Sequence, residues 1–215
     1  MKNRVVGFMP GKVDCEKQRN FLSDTLKPAI AFAKSALIEL FFVDASHFVM
    51  GGVPGRLWSK VRLWVKTGSG RKRYNVLGAL NYISGKIETV TNDTYITAVQ
   101  VVELLDKLAY EYAGKRIVLI LDNAKYQRCA TVISKAVELN IELVFLPTYS
   151  PNLNLIERVW KFVKANVLSA AYIETFDEYR ARIDKFVGNI TVDNAERMSS
   201  LITEKFQLFD DCKVA

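Results

Sequence analysis

Two aspartates in the sequence stand where their carboxylates could meet. Asp44 follows the apolar run 37–43 and Asp122 follows the run 116–121, and each run predicts a buried strand. Ligand sites in open α/β sheets collect at the carboxyl ends of strands, so neighbouring strands would bring the two side chains together. Carboxylates that close repel each other, and a divalent cation such as Mg²⁺ or Mn²⁺ removes that repulsion. The alternative is a turn or helix-capping role, with Asp122 capping the helix that follows.

A third carboxylate, Glu157, lies on a predicted helix over residues 155–168. Apolar residues at helical spacing form one stripe of this helix, and Glu157 lies just beside that stripe. Lys161 and Lys164 follow Glu157 by four and seven positions. Glu157 could face the sheet edge while the lysines face a phosphate backbone, or it could form an exposed ion pair with a lysine. The stripe alone leaves both interpretations open.

The order of predicted elements defines the fold that would position these residues. A strand at 37–43 is followed by a hairpin, then by two further strands that alternate with helices. Residues 74–82 and 86–90 form the hairpin, helices cover 94–112 and 124–139, the last strand covers 141–146, and further helices cover 16–34 and the tail from Phe176. The alternation predicts parallel pairing and the hairpin antiparallel pairing. We therefore predict an α/β fold, a ribonuclease-H-like mixed five-stranded sheet with helices on both faces.

Three regions follow from this order: a helical lead-in at 1–36, the ribonuclease-H-like catalytic domain at 37–170, and a helical tail at 171–215. Within the domain, residues 45–73 carry five glycines and seven basic residues but no acid, which predicts an exposed basic insertion loop. The candidate DNA-contacting residues are Arg56, Lys60, Arg62, Arg71, Lys72 and Arg73 in this loop, with Lys161 and Lys164 on the later helix.

Composition narrows the class of partner without identifying it. The formal net charge is +7 and the pI is near 9.2, which suits a polyanion such as nucleic acid, although many basic proteins bind none. Three widely separated cysteines fit neither a zinc site nor a disulfide framework. The apolar runs are too short to span a bilayer, and the N-terminus lacks the apolar core of a signal peptide. We expect a soluble, cytoplasmic protein with no membrane partner.

Two local sequences resemble those of a known family. Leu121-Asp122-Asn123-Ala124 and the long segment PTYSPNLNLIERVW at 147–160 resemble the DDE transposases of the mariner superfamily, in their bacterial insertion-sequence branch. Phe42-Val43-Asp44-Ala45 resembles the first motif of that family. Glu157 follows Asp122 by 35 positions, leaving 34 residues between them, which is typical of the superfamily. The resemblance covers about residues 11–168.

The resemblance implies a function and a set of partners. Asp44, Asp122 and Glu157 would be the catalytic metal ligands, holding two Mg²⁺ or Mn²⁺ ions that cut double-stranded DNA at transposon ends and join the ends to target DNA. In mariner relatives the segment after the first strand reaches toward a partner subunit, which implies a homodimer. The expected location is the cytoplasm of a bacterium, at the nucleoid.

Two positions depart from the family pattern. Gln127 stands where a histidine commonly follows the second aspartate, which puts an auxiliary role of that histidine in doubt. Leu155 stands where proline is frequent. The only histidine, His47, lies near Asp44 in sequence, and we favour a structural role for it over a catalytic one.

The resemblance leaves two alternatives open. Relatives carry helix-turn-helix modules before the catalytic domain, but the first predicted strand begins at residue 37, so a separate polypeptide or a frameshift-fused N-terminal half would have to supply them. The chain could therefore be a truncated, non-catalytic remnant that binds DNA or interferes with dimers. It could also be a ribonuclease-H-like nuclease on other nucleic acid substrates, against which the segment 147–160 argues.

Overall fold

A computed structural model describes residues 12–51, 60–61, 64, 72–168 and 173–208. The strands are β1 (Glu39–Val49), β2 (Arg73–Asn81), β3 (Ile87–Asn92), β4 (Ile117–Leu121) and β5 (Ile141–Phe145). The helices are α1 (Cys15–Phe21), α2 (Lys27–Lys34), α3 (Ala98–Glu111), α4 (Ala130–Glu138), α5 (Leu155–Val167), α6 (Phe176–Gly188), α7 (Ile190–Asp193) and α8 (Ala195–Leu201). Short 3₁₀ turns cover Lys125–Gln127 and Pro151–Leu153.

The strands form one mixed sheet in the order β3-β2-β1-β4-β5. β1 pairs antiparallel with β2, and β2 pairs antiparallel with β3. β4 pairs parallel with both β1 and β5. The predicted five-stranded sheet is therefore confirmed, with the hairpin supplying its antiparallel half and the strand–helix alternation its parallel half.

Helices cover both faces of this sheet. Side chains on alternate positions of β1 point to opposite faces, as the pleat of a strand requires. Phe42 and Phe48 belong to the core under α5, while Phe41 and Val43 belong to the core under α3 and α4. Within the ranges given above, no helix has the length and apolar content needed to cross a membrane.

Strand β1 is longer than the sequence predicted. The apolar run indicated a strand ending at residue 43, and 45–73 was assigned to a loop, but β1 continues to Val49. Antiparallel pairing with β2 extends to Val49 opposite Arg73, so backbone hydrogen bonds maintain the strand through its polar residues. Phe48 is buried on the α5 face in this extension. The first five residues of the predicted loop are therefore part of the sheet.

Two helix predictions also need correction. The predicted helix 16–34 is continuous, but a π-helical segment, Leu22–Leu26, separates α1 from α2 just before Pro28. Proline has no N–H to donate to the preceding turn, and a locally wider turn accommodates it. The helix predicted at 124–139 begins only at Ala130, because Cys129 is extended and Asn123 has a φ of 74°.

The C-terminal segment after α8 is fixed to α5 by one side chain. The Arg158 guanidinium donates to the carbonyls of Leu201, Thr203 and Lys205 at 2.9–3.1 Å. The Phe206 ring lies 5.5 Å from the same guanidinium. Arg158 therefore attaches an irregular segment to the helix that carries Glu157.

We expect Arg158→Ala to release this segment. The substitution leaves three carbonyls without their charged donor, so the free energy of unfolding should fall by about 2–3 kcal/mol. Urea denaturation gives the change in stability, and hydrogen exchange should show faster exchange at 201–208. Arg197→Ala, which removes only a cation stacked on Phe162, is the matched control. Unchanged exchange at 201–208 in Arg158→Ala would contradict the assignment.

Candidate functional site

Asp44 and Asp122 lie level with each other on the two central strands. Asp44 is within β1, and Asp122 directly follows the last residue of β4. The parallel pairing aligns Phe42 with Ile120, so two steps further along both strands Asp44 is level with Asp122. Asp44 is half-buried and Asp122 is exposed. The sheet thus places both carboxylates at the point where β4 ends.

Glu157 lies in the first turn of α5, on the same face of the sheet as Asp44. Asp44 pairs across the sheet with Gly78, and Trp160 of α5 packs against that glycine. A methyl group on Gly78 would lie 2.5 Å from Cζ2 of Trp160, which is too close for two carbon atoms that are not bonded to each other. The absence of a side chain at Gly78 therefore allows α5 to approach the strand beside Asp44.

The negative charges of Glu157 and Asp122 act on the carboxyl group of Asp44. Burial first, and then the negative charges of Glu157 and Asp122, raise the pKa of the Asp44 carboxyl to about 8. The backbone N–H of Ala45 and the Lys164 ammonium act in the opposite direction. Glu157 and Asp122 are therefore near enough to Asp44 to oppose its ionisation.

The donor chemistry of this site fits a hard divalent cation. A shared cation would relieve the opposition to ionisation at Asp44, and carboxylate oxygens are the ligands that Mg²⁺ and Mn²⁺ prefer. Across the part of the chain that the structure describes, however, no three acidic, histidine or cysteine side chains are close enough together to hold a metal ion as they stand. The side chains would have to move inward to share one.

The simpler roles hold in part for Asp122 and do not hold for Glu157. Asp122 Oδ1 accepts a hydrogen bond from the Ala124 N–H at 3.2 Å, which is the turn role of an aspartate after a strand, but it does not cap α4, which begins eight residues later. Glu157 forms no ion pair within 4 Å with any lysine or arginine among the described residues, Lys161 included. Among the described residues, the Glu157 carboxylate and the second oxygen of Asp122 are therefore available to a ligand.

Comparison with known proteins identifies the family. Residues 39–180 match the model of the DDE superfamily endonuclease. The chain belongs to the DDE superfamily of endonucleases. A stretch of 65 residues is 42% identical to the uncharacterized protein y4pE/y4sA of Sinorhizobium fredii (strain NBRC 101917 / NGR234), covering 30% of this chain and 46% of that relative. The match thus extends over less than half of the relative's length.

Solved structures share the fold of this DDE endonuclease. The Mos1 transposase paired-end complex with left transposon end has a TM-score of 0.68 at 14% identity, covering 98% of this chain and 68% of that chain. The Mos1 mariner paired end complex with Mn has a TM-score of 0.66 at 16% identity, covering 96% and 68%. The catalytic domain of Mos1 mariner transposase has a TM-score of 0.54 at 14% identity, covering 94% and 100%. The predicted ribonuclease-H-like arrangement is confirmed.

His47 and Gln127 have structural partners in this DDE endonuclease. His47 Nδ1 lies 2.6 Å from Oδ1 of Asn75, its partner across the β1–β2 pair. Three positions separate His47 from Asp44, so the two side chains project from opposite faces of the sheet. Gln127 is fully buried and accepts a hydrogen bond from the Ala124 N–H at 3.3 Å. His47 therefore contacts a side chain of β2 and Gln127 a backbone N–H of its own loop, and both contacts favour structural roles.

Sequence reasoning missed three residues at the site. Tyr126 is half-buried, and burial followed by the charges of Asp122 and Asp44 raises the pKa of its phenol to about 12. The phenol is therefore protonated at neutral pH and can donate a hydrogen bond. The second is Gly78. A glycine in the middle of an apolar strand is a sequence signal that another element packs closely against the strand there. The third is Asn154, whose side chain contacts β1.

The basic residues proposed to contact DNA are only partly described. Lys164 is half-buried, with its ammonium 5.6 Å from the centre of the Phe48 ring and near enough to Asp44 to lower its pKa. Lys60, Lys72, Arg73 and Lys161 are exposed. Arg56, Arg62 and Arg71 lie outside the described residues. The structure therefore places Lys164 at the site.

We expect Gly78→Ala to displace α5. The added methyl group collides with Trp160, so the free energy of unfolding should fall by roughly 1–3 kcal/mol. The double variant Gly78→Ala/Trp160→Phe, which removes the colliding ring atoms, should recover part of that loss. Gly188→Ala is the control because a methyl group there meets nothing within 4 Å. Equal stability of Gly78→Ala and wild type in thermal and urea unfolding would contradict the contact.

The raised pKa of Asp44 predicts how stability changes with pH in the metal-free protein. Between the unfolded value of 3.8 and about 8, the folded state holds a proton that the unfolded state has lost, so stability falls as pH rises. In EDTA, Asp44→Asn should therefore stabilise the protein, by roughly 2 kcal/mol more at pH 8 than at pH 5. Urea denaturation at both pH values measures the difference.

The control for this experiment is Asp193→Asn, which removes one negative charge from an exposed position on α7. Its stability relative to wild type should change little between the two pH values. If Asp44→Asn gave the same difference at pH 5 and pH 8, the Asp44 carboxyl would not be opposed by burial and neighbouring charge.

Proposed function

We propose that this DDE endonuclease is the catalytic domain of a cut-and-paste DNA transposase of the mariner superfamily, in its bacterial insertion-sequence branch. The observation that carries the proposal is the register of β1 and β4, which puts Asp44 level with Asp122, together with Glu157 in the first turn of α5 on the same face as Asp44. The family match, the Mos1 fold and the segment 147–160 support it. The reaction would be phosphodiester hydrolysis at transposon ends followed by strand transfer to target DNA.

Asp44, Asp122 and Glu157 would hold the metal ions. When bound, two divalent cations can activate the attacking oxygen and stabilise the leaving one in an in-line displacement. Asp44 would provide the ligand on β1, Asp122 the ligand beyond β4, and Glu157 the ligand from α5. Tyr126, protonated at neutral pH, would donate a hydrogen bond beside them. The Mn and Mg complexes of Mos1 support divalent metal use.

Lys164 would bind a phosphate next to the carboxylates. Its ammonium is close enough to Asp44 to act on it, and it forms no ion pair within 4 Å inside the described ranges. Lys161 and the basic residues of 45–73 would extend this contact along double-stranded DNA. Binding through such contacts is weakly specific and weakens as salt rises.

The assembly would be a homodimer on paired DNA ends, as the Mos1 paired-end complexes suggest. Helix-turn-helix modules would recognise the transposon ends. Two other functions compete with this proposal: a non-catalytic remnant that binds DNA, and a ribonuclease-H-like nuclease acting on other nucleic acids. The retention of all three acidic residues around one edge of the sheet favours an enzyme over a remnant.

Nicking of supercoiled plasmid DNA tests the proposal. The full chain should convert the plasmid to nicked circles in Mn²⁺ but not in EDTA. Asp122→Asn should lower the rate by about 100-fold or more, because it removes a metal ligand. Glu103→Gln, on the exposed side of α3, should leave the rate unchanged.

Three further outcomes separate the alternatives. Nicking that survives Asp122→Asn would mean that other residues, or a contaminating nuclease, cut the DNA. Pre-cut oligonucleotides with the ends of the encoding element should be joined to target DNA by a transposase, whereas a plain nuclease gives no joined product. DNA binding without nicking in Mn²⁺ or Mg²⁺ would favour the non-catalytic remnant.

A further inference from the structure

A side-chain hydrogen bond from the N-cap residue of α5 joins that helix to β1, the strand that carries Asp44. Asn154 Nδ2 donates to the carbonyl of Val43 at 3.0 Å, and both residues are buried. Val43 directly precedes Asp44, and Asn154 precedes Glu157 by three positions, or nearly one helical turn. The bond therefore spans the space between the strand and the helix at the level of both carboxylates.

The strand provides a reason for this bond. The pairing of β1 with β4 ends at Phe42 and Ile120, so Val43 lies one residue beyond the last pair. A buried carbonyl that lacks a donor costs about 1–3 kcal/mol. The Asn154 amide supplies a donor at the place where the neighbouring strand stops.

Asn154 does not use its side chain as helix-capping residues usually do. It occupies the N-cap position of α5, where an asparagine side chain normally accepts a hydrogen bond from the first turn. The N-cap residues of α1, α3 and α6 all accept such a bond, but Asn154 forms none. Its amide is directed across to β1 instead, so the contact serves the relation between helix and strand.

Other residues already hold the loop that precedes α5. Gln18 of α1 donates to Ser150 Oγ at 2.9 Å and to Asn152 Oδ1 at 3.2 Å. Asn152 Nδ2 donates to the carbonyl of Gln207 at 2.7 Å. These contacts fix the loop to α1 and to the C-terminal segment, whereas Asn154 fixes its end to the strand of Asp44.

We propose that Asn154 is a positioning residue that sets the separation of the Asp44 and Glu157 carboxylates for metal binding. The inference rests on the proposed metal site and adds a residue that contacts no metal itself. Asn154 and Trp160 attach α5 to β1 and β2 on either side of Glu157, one by a hydrogen bond and one by packing on Gly78. Loss of the hydrogen bond would free the end of the helix that carries the ligand.

Mn²⁺ titration of the full chain, followed by electron paramagnetic resonance of free Mn²⁺, tests this role without DNA. Asn154→Ala removes the amide, and Asn154→Ser keeps a good N-cap residue with a side chain too short to replace the bond. Both should raise the Mn²⁺ dissociation constant by about 10-fold or more. Thermal unfolding of each variant checks that the fold is retained.

Asn152→Ala is the matched control. It removes the contacts to Gln18 and Gln207 from the same loop but leaves the bond to Val43 in place. We expect a comparable loss of thermal stability with Mn²⁺ affinity within about twofold of wild type. Saturating Mn²⁺ should also restore plasmid nicking in Asn154→Ser but not in Asp122→Asn, because only the latter lacks a ligand.

The outcomes distinguish this inference from the function on which it rests. Folded Asn154 variants that bind Mn²⁺ as tightly as wild type would overturn the positioning role alone. An equal loss of affinity in Asn152→Ala would do the same, since the effect would then belong to the loop in general. A wild-type chain that binds no Mn²⁺ would overturn the proposed metal site and, with it, this role.

Discussion

The central constraint in this molecule is a carboxyl group held within a sheet, beneath a helix, beside two other carboxylates. Burial and like charge both oppose ionisation of Asp44, so the site works against the stability of the fold. The sheet holds this strand on both sides: β1 pairs with β2 from Phe41 to Val49 and with β4 from Glu39 to Phe42. This backbone pairing keeps Asp44 in place despite the unfavourable arrangement of charge.

Helix α5 adds the third acidic residue of the candidate site to this sheet. It contributes a stripe of buried apolar residues to one core, and its first turn carries Glu157 just outside that stripe. Arg158, the next residue, donates hydrogen bonds to backbone carbonyls of the C-terminal segment. Adjacent residues of one helical turn therefore serve the candidate site and the fold.

Much of the architecture could be predicted from sequence because the apolar runs at β1, β4 and β5 are short and bounded by polar residues. The extension of β1 could not, since the polar residues after Asp44 are kept in the strand by partners on β2 that local pattern does not reveal. The triad was named from a resemblance, and its metal role stays a prediction. The contact of Asn154 could not be predicted from the sequence because its partner, Val43, is 111 residues away.

The contact between Gly78 and Trp160 has a consequence for how sequences of this kind can vary. A methyl group on Gly78 would occupy the same volume as the indole of Trp160. Neither position can enlarge alone, so the two should drift together across related chains, with a bulkier residue on the strand matched by a smaller ring on the helix. Such covariation would reveal a steric dependence between positions 78 and 160. Comparison of the acidic positions alone would not detect it.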